Sequence, residues 1–266
     1  PSPGLIAKYS GGKKGRGMSI FMTGGESART FGPMFAVAAV SFLGADHFYV
    51  VIGFAVLTSV MLYFALEKEE QKTSFKRKGS LKASFHEIKH VLIPLSGILS
   101  ARSFMHASMG VFITVFVERE TGSLWYGGAA LALYEAFGVA GVLSAGTLSD
   151  WLGRQRVLFW VLLVAPVAIL IFVFSTGILK IIMLAVTGFT VLSTTPVMLA
   201  IIQENAKEHP STANGLFMMI SFAVRSIAVL LAGIIGDLAG LENMFIVSAV
   251  IGFTAIPFLL KLGIKT

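Results

Sequence analysis

The sequence predicts an all-α polytopic membrane protein, and three observations lead there. Eight apolar runs are long enough to cross a bilayer, only 13% of residues are charged against 55% hydrophobic, and the basic residues gather in alternate loops. A helix rises about 1.5 Å per residue, so about 20 apolar residues are needed to cross a hydrocarbon core about 30 Å thick. A mean hydropathy of +0.82 lies far above that of a soluble domain.

In chain order the runs are Met18 to Leu43, Phe48 to Leu66, Val91 to Val117, Trp125 to Leu148, Val157 to Phe174, Ile181 to Ile202, Thr212 to Ile235 and Met244 to Leu260. Pro33, Pro94, Pro166, Pro196 and Pro257 fall in or near them. Membrane helices tolerate such prolines because neighbouring helices and hydroxyls satisfy the freed carbonyls. Thr194 and Thr195 precede Pro196 and can serve that purpose, either at an ordinary kink or at a partly unwound point. The long polar stretch Glu67 to His90 separates the second and third runs and reads as a linker, either solvated or touching anionic lipid.

With the first loop in the cytoplasm, one side collects sixteen of the twenty-one Lys and Arg residues, and the other side holds only Arg119 and Lys180. The positive-inside rule therefore predicts a multi-pass protein with a cytoplasmic C-terminus. The net charge of +7 follows from topology, and a nucleic-acid partner is not expected. Cysteine is absent, so disulfides and thiolate metal sites are excluded, and no cofactor is expected. The chain opens with Pro1, and Leu5 to Lys8 reads as the tail of an earlier apolar segment, so it is expected to be a piece lacking N-terminal helices. A shift of 196 residues superposes Phe21, Met22 and Arg29 on Phe217, Met218 and Arg225, as in a protein built from two similar halves.

Between the fourth and fifth runs stands Gly146-Thr-Leu-Ser-Asp150-Trp-Leu-Gly153-Arg154-Gln-Arg156. Gly146 permits close helix approach, Asp150 can accept from Arg or from a neighbouring helix N-terminus, Gly153 makes the turn, and Arg154 and Arg156 hold the cytoplasmic surface. This segment resembles the signature loop of the major facilitator superfamily. The opening segment from Pro1-Ser-Pro through Ser10 and Gly25, continuing to Gly32-Pro33, with Gln203-Glu204, Gly215-Leu-Phe217 and Gly233 through Asp237, is similar to the fosmidomycin resistance branch of that superfamily. One departure is Ala28, where the superfamily's drug-proton antiporters carry the first glycine of Gly-x-x-x-Gly-Pro.

The resemblance implies a major facilitator fold with eight of twelve transmembrane helices present. Residues 1–66 would be the remainder of the N-terminal bundle (the end of helix four, with helices five and six), 67–90 the linker, and 91–266 the C-terminal six-helix bundle. It also implies a cell-membrane protein in the inner or cytoplasmic membrane, embedded in lipid. Helices five, seven, eight and eleven would line or flank a central cavity.

An ionisable side chain in hydrocarbon costs about 2.5 to 3.5 kcal/mol on insertion scales, so it survives where it faces protein or water. Six candidates for the substrate or proton pathway occur: Glu26, Arg29, Arg102, His106, Glu135 and Arg225. All six fall on the runs the resemblance assigns to the cavity, and none on the runs it makes peripheral. Arg102 and His106 are four apart on one helix face, and three arginines against two carboxylates favour an anionic substrate group. Glu135 can carry a proton that substrate displaces, or form a permanent ion pair with Arg102 or Arg225. Glu26 and Arg29, three apart, can pair with each other, and His106 can relay protons or be satisfied locally.

These readings converge on a secondary transporter working by alternating access. The resemblance implies proton-coupled efflux of a small anionic or amphipathic compound, with an antiporter role in fosmidomycin or other drug resistance. Proton-coupled import of an organic anion fits the same residues, as does an inactive or assembly-dependent piece. An enzyme is not expected, because no paired acids, His-rich cluster or activated nucleophile stands at membrane depth.

Overall fold

The computed structural model describes residues 15–28, 49–50, 52–65, 81–206, 208 and 210–262. Every element there is helical: α1 (residues 15–28), α2 (Ile52–Ala65), α3 (Leu81–Thr121), α4 (Leu124–Leu152), α5 (Arg154–Phe174), α6 (Gly177–Asn205), α7 (Pro210–Ala239), α8 (Leu241–Phe253) and α9 (Ala255–Leu260). Among the described residues, six stretches are long and apolar enough to cross a membrane, with α8 and α9 together forming the last, Leu241–Leu260. The α2 helix has 14 residues, and its described side chains are exposed. Arg29 and the rest of the first run beyond residue 28 lie outside the described residues.

Helix ends follow local chemistry. Gly122, Gly153, Gly177 and Gly240 have positive φ, and each stands where one helix gives way to the next. The α8–α9 break comes at Thr254, three residues before Pro257. Proline is accommodated there because the first turn of a helix has no internal partner for its N–H groups. By contrast α6 runs unbroken through Pro196, with the Thr194 hydroxyl donating to the Val191 carbonyl at 2.8 Å, so the segment is helical and not unwound. The α3 helix begins at Leu81, within the stretch read as linker, and its 41 residues extend about 60 Å, well beyond a bilayer core.

At the centre, α3 packs against α4, α6, α7, α8 and α9, and α6 packs against α3, α4, α5 and α7. Two apolar layers result. One contains Ile88, Leu92, Leu158, Leu162, Val197 and Phe217. The other contains Met109, Phe116, Ile169, Phe172, Val191 and Phe245. Large apolar side chains such as Phe64, Leu230 and Leu238 face outward, as expected where lipid is the solvent.

The tight packing of α4 on α6 depends on glycine. A Cβ on Gly188 would lie 2.1 Å from the Tyr134 carbonyl oxygen, and one on Gly141 would lie 2.1 Å from that of Phe189. Small residues at such positions let helix backbones approach where lipid offers no hydrophobic drive to associate.

Candidate functional site

A polar cluster sits where the second apolar layer, to which Tyr134 itself belongs, meets the first. Arg102 and His106 are buried on α3, one turn apart. The Arg102 Nε donates to the Val191 carbonyl of α6 at 3.2 Å. His106 Nδ1 meets the Tyr134 hydroxyl of α4 at 2.9 Å, and the two rings stack at 6.1 Å between centroids. Tyr134 is fully buried, so its phenol needs such a partner.

Of the six candidate residues from the sequence, His106 is hydrogen-bonded to this phenol, Arg102 stands one turn from His106, and Glu135 is the phenol's chain neighbour. Glu26 is buried on α1, whereas Glu135 and Arg225 are half-buried. The sixth, Arg29, lies outside the described residues, and with it the Glu26–Arg29 pairing.

A second polar assembly occupies the end of the bundle where the Gly153 turn joins α4 to α5. Gly153 has φ 94°, a conformation open to glycine and strained for side chains. The turn brings Arg154 back onto Asp150, with which it forms an ion pair. The Arg154 guanidinium also donates to Ser149 Oγ at 2.6 Å and to Glu204 Oε1 of α6 at 2.8 Å. Asp150 accepts from the backbone N–H groups of Gly15 at 3.1 Å and Arg16 at 2.8 Å, the first described residues of α1. Backbone N–H groups donate charge-assisted hydrogen bonds to a carboxylate, which hold α1 against the end of α4.

Close approach makes this assembly possible. A Cβ on Gly146 would lie 2.0 Å from the Gly15 carbonyl oxygen and 2.1 Å from Ser19 Oγ. The Gly146 N–H donates to that same hydroxyl at 2.8 Å. Arg156 is exposed and stands apart from this network.

Sequence reasoning missed several members. Tyr134 was visible only as an apolar neighbour of Glu135, although a phenol in mid-span is itself a signal. Ser19, Gly15 and Ser149 lie within the segments that carry the family resemblance, yet no contact of theirs was readable, because contacts made by small residues depend on the helix crossing. Glu204 stood beside Gln203 without a partner that its spacing could name. Among the described residues, no group of His, Asp or Glu is arranged to hold a metal ion.

Apolar spans, buried polar groups within them and a charged joint at one helix end define a multi-pass membrane protein with a polar interior. The chain belongs to the Major Facilitator Superfamily, which it matches over residues 1–229. It is similar to the "Fosmidomycin resistance protein" of Escherichia coli (strain K12), 25% identical over 265 residues that cover 94% of this chain and 63% of that protein. It is also similar to the "Uncharacterized MFS-type transporter YfnC" of Bacillus subtilis (strain 168), 25% identical over 266 residues, covering 96% of this chain and 63% of that protein. The chain therefore spans less than two thirds of the length of these relatives.

Proposed function

We propose that this chain is the greater part of a proton-coupled secondary transporter that exports a small anionic or amphipathic compound by alternating access. The observation that carries this reading is the buried Tyr134–His106 hydrogen bond, with Arg102 buried one turn from His106 on α3 and Glu135 next to Tyr134 on α4, ionisable groups set inside an apolar bundle. Transporter sites commonly lie at such a depth, and ionisable groups there mark substrate and ion pathways.

Each member has a role in this reading. Arg102 and Arg225 attract the anionic group of the substrate, because guanidinium forks suit carboxylate and phosphonate geometry. Glu135 is the proton carrier, and His106 with Tyr134 fixes the floor of the site. Glu26 and Arg29 complete the pathway from α1 and the residues after it. Asp150 and Arg154 with Gly146 and Gly153 latch the end expected to be cytoplasmic, so α1 separates from α4 when that side opens. Arg156 contributes positive-inside charge there. The N-terminal helices of the relatives would supply the other wall of the cavity. Phosphonates of the fosmidomycin type are the first compounds to try, given the name of the Escherichia coli relative.

The test uses the complete encoded protein in proteoliposomes, recording proton movement when fosmidomycin is added, for wild type and for Glu135→Gln. Flux in wild type and none in the variant is expected. A folded wild type without flux would reject this substrate, and undiminished flux in the variant would remove Glu135 from the proton path.

A further inference from the structure

A separate cavity of about 480 Å³ lies among the last turn of α3, the first turns of α4 and α6, and Phe172 of α5. It belongs to the end of the bundle opposite Arg154, because Gly122 and Gly177 mark the helix junctions there while Gly153 marks the junction at the other end. It shares no residue with the cluster around Tyr134 or with the Asp150 assembly.

Its walls are apolar, formed by Ala129, Ala130, Leu133, Ile181 and Leu184. Its polar lining is Glu120, Thr121, Tyr126 and Lys180, and Glu120 and Lys180 form an ion pair. The Lys180 ammonium stands 4.8 Å from the Phe116 ring centroid and 5.1 Å from that of Phe172. Two aromatic faces therefore fix the cation in place, and its side chain is 15% exposed while that of Glu120 is 40% exposed. Beside these charges Leu124, Trp125 and Tyr126 are exposed at the start of α4. Aromatic residues at the end of a membrane helix sit at the level of lipid headgroups.

We infer that this cavity holds a zwitterionic phospholipid bearing a primary ammonium, with its acyl chain against Ala129, Leu133 and Ile181. Apolar walls combined with paired charges select an amphipathic occupant. The two charges cancel, so a purely anionic headgroup meets repulsion from Glu120 and a purely cationic amphiphile meets repulsion from Lys180. A zwitterion satisfies both, with its phosphate accepting from Lys180 and its ammonium donating to Glu120 in charge-assisted hydrogen bonds. The ammonium is primary because a quaternary headgroup has no N–H to donate to the carboxylate. This assignment is independent of what the transporter carries.

The test counts lipid retained by the purified complete encoded protein in detergent, using native mass spectrometry after adding phosphatidylethanolamine, phosphatidylcholine or phosphatidylglycerol with identical oleoyl chains. Wild type is expected to retain phosphatidylethanolamine about fivefold over the other two, the equilibrium equivalent of one partly exposed charge-assisted hydrogen bond. Glu120→Gln should reduce phosphatidylethanolamine to the level of phosphatidylcholine. Ala129→Phe should lower retention by filling the slot while leaving both charges in place, and it does not depend on the fold tolerating loss of the ion pair. Equal retention of all three lipids by wild type overturns the proposal. So does a preference for phosphatidylglycerol, or a phosphatidylethanolamine preference that survives Glu120→Gln.

Discussion

The joint between α1 and α4 and the seam between α4 and α6 are both built on glycine, yet different groups meet across the two surfaces. At the joint, Gly15 and Gly146 bring together the Ser19 hydroxyl, Asp150, Arg154 and the first N–H groups of α1. All of these lie at helix ends, where water can replace each bond when the surfaces part. At the seam, Gly138, Gly141 and Gly188 press against the Leu192 side chain and the backbones of Phe189 and Tyr134. If that surface opened, lipid tails could not restore the dispersion attraction of backbone packed on backbone. The contrast separates a junction that can be made and broken from one that serves as frame, as the proposed alternating access requires.

The largest expected effect tests the frame. Gly188→Val puts two methyl groups where even a Cβ would meet the Tyr134 carbonyl oxygen at 2.1 Å, and backbone cannot swing aside as a flexible side chain can. Overpacking of this kind costs about 3 kcal/mol. Thermal unfolding in detergent should show a markedly lowered midpoint. An unchanged midpoint would mean that α4 and α6 slide past one another, and the seam would no longer count as fixed.

Asp150→Asn tests the joint. It removes the charge that holds both Arg154 and the α1 start, a loss of about 2 kcal/mol from charge-assisted bonds. In the proposed mechanism that shifts the balance between open and closed states by more than tenfold, so transport should fall by about that factor. The unfolding midpoint should move less than in Gly188→Val, because the open state, which never makes these bonds, stays folded and takes up the population. If stability and transport fell together, the joint would be frame as well and the contrast would collapse.

The joint was more legible in the sequence than the mid-span cluster, and the reason is physical. Gly153, Asp150 and Arg154 act through a turn of four residues, so spacing alone brings acid and base together. That Asp150 would accept from an arginine or a helix start was also readable, and both partners are present. Which helix start it meets was not readable, since Gly15 lies 135 residues away. At mid-span, hydrophobic context identified Arg102, His106, Glu135 and Arg225 one by one, yet their neighbours depend on helix rotation. The Val191 carbonyl, being backbone, left no mark in the sequence, and Tyr134, though a mid-span phenol, did not name His106 as its partner. Helix identity was legible from hydropathy because bilayer thickness sets a minimum length. Helix ends were less so, as at α3, where polar turns from Leu81 continue a helix whose apolar part begins ten residues later.

Tyr134→Phe makes a smaller change inside the frame. It keeps the buried ring and its stacking on His106 while deleting the hydroxyl at 2.9 Å, which costs about 1 kcal/mol. Substrate affinity should weaken about fivefold, as measured by ligand-induced protection against thermal unfolding, because His106 loses the partner that orients it. Unchanged affinity would reduce the Tyr134–His106 pair to packing.

The smallest effect separates the two arginines of the turn. Arg154 is 8% exposed and tied to Asp150, Ser149 and Glu204, whereas Arg156, two residues on, is exposed. Two residues along a helix is a rotation of about 200°, so the two side chains leave the helix on opposite sides and cannot share one partner. Arg156→Gln should therefore change the unfolding midpoint by the equivalent of no more than about 0.5 kcal/mol and leave transport near the wild-type rate. Its remaining contribution is to orientation, through positive charge in a short loop, and that is redundant with the many other basic residues on the same expected side. A loss of transport comparable with that of Asp150→Asn would show that the joint reaches across the helix, and that a second acceptor engages Arg156 in the other conformation of the cycle.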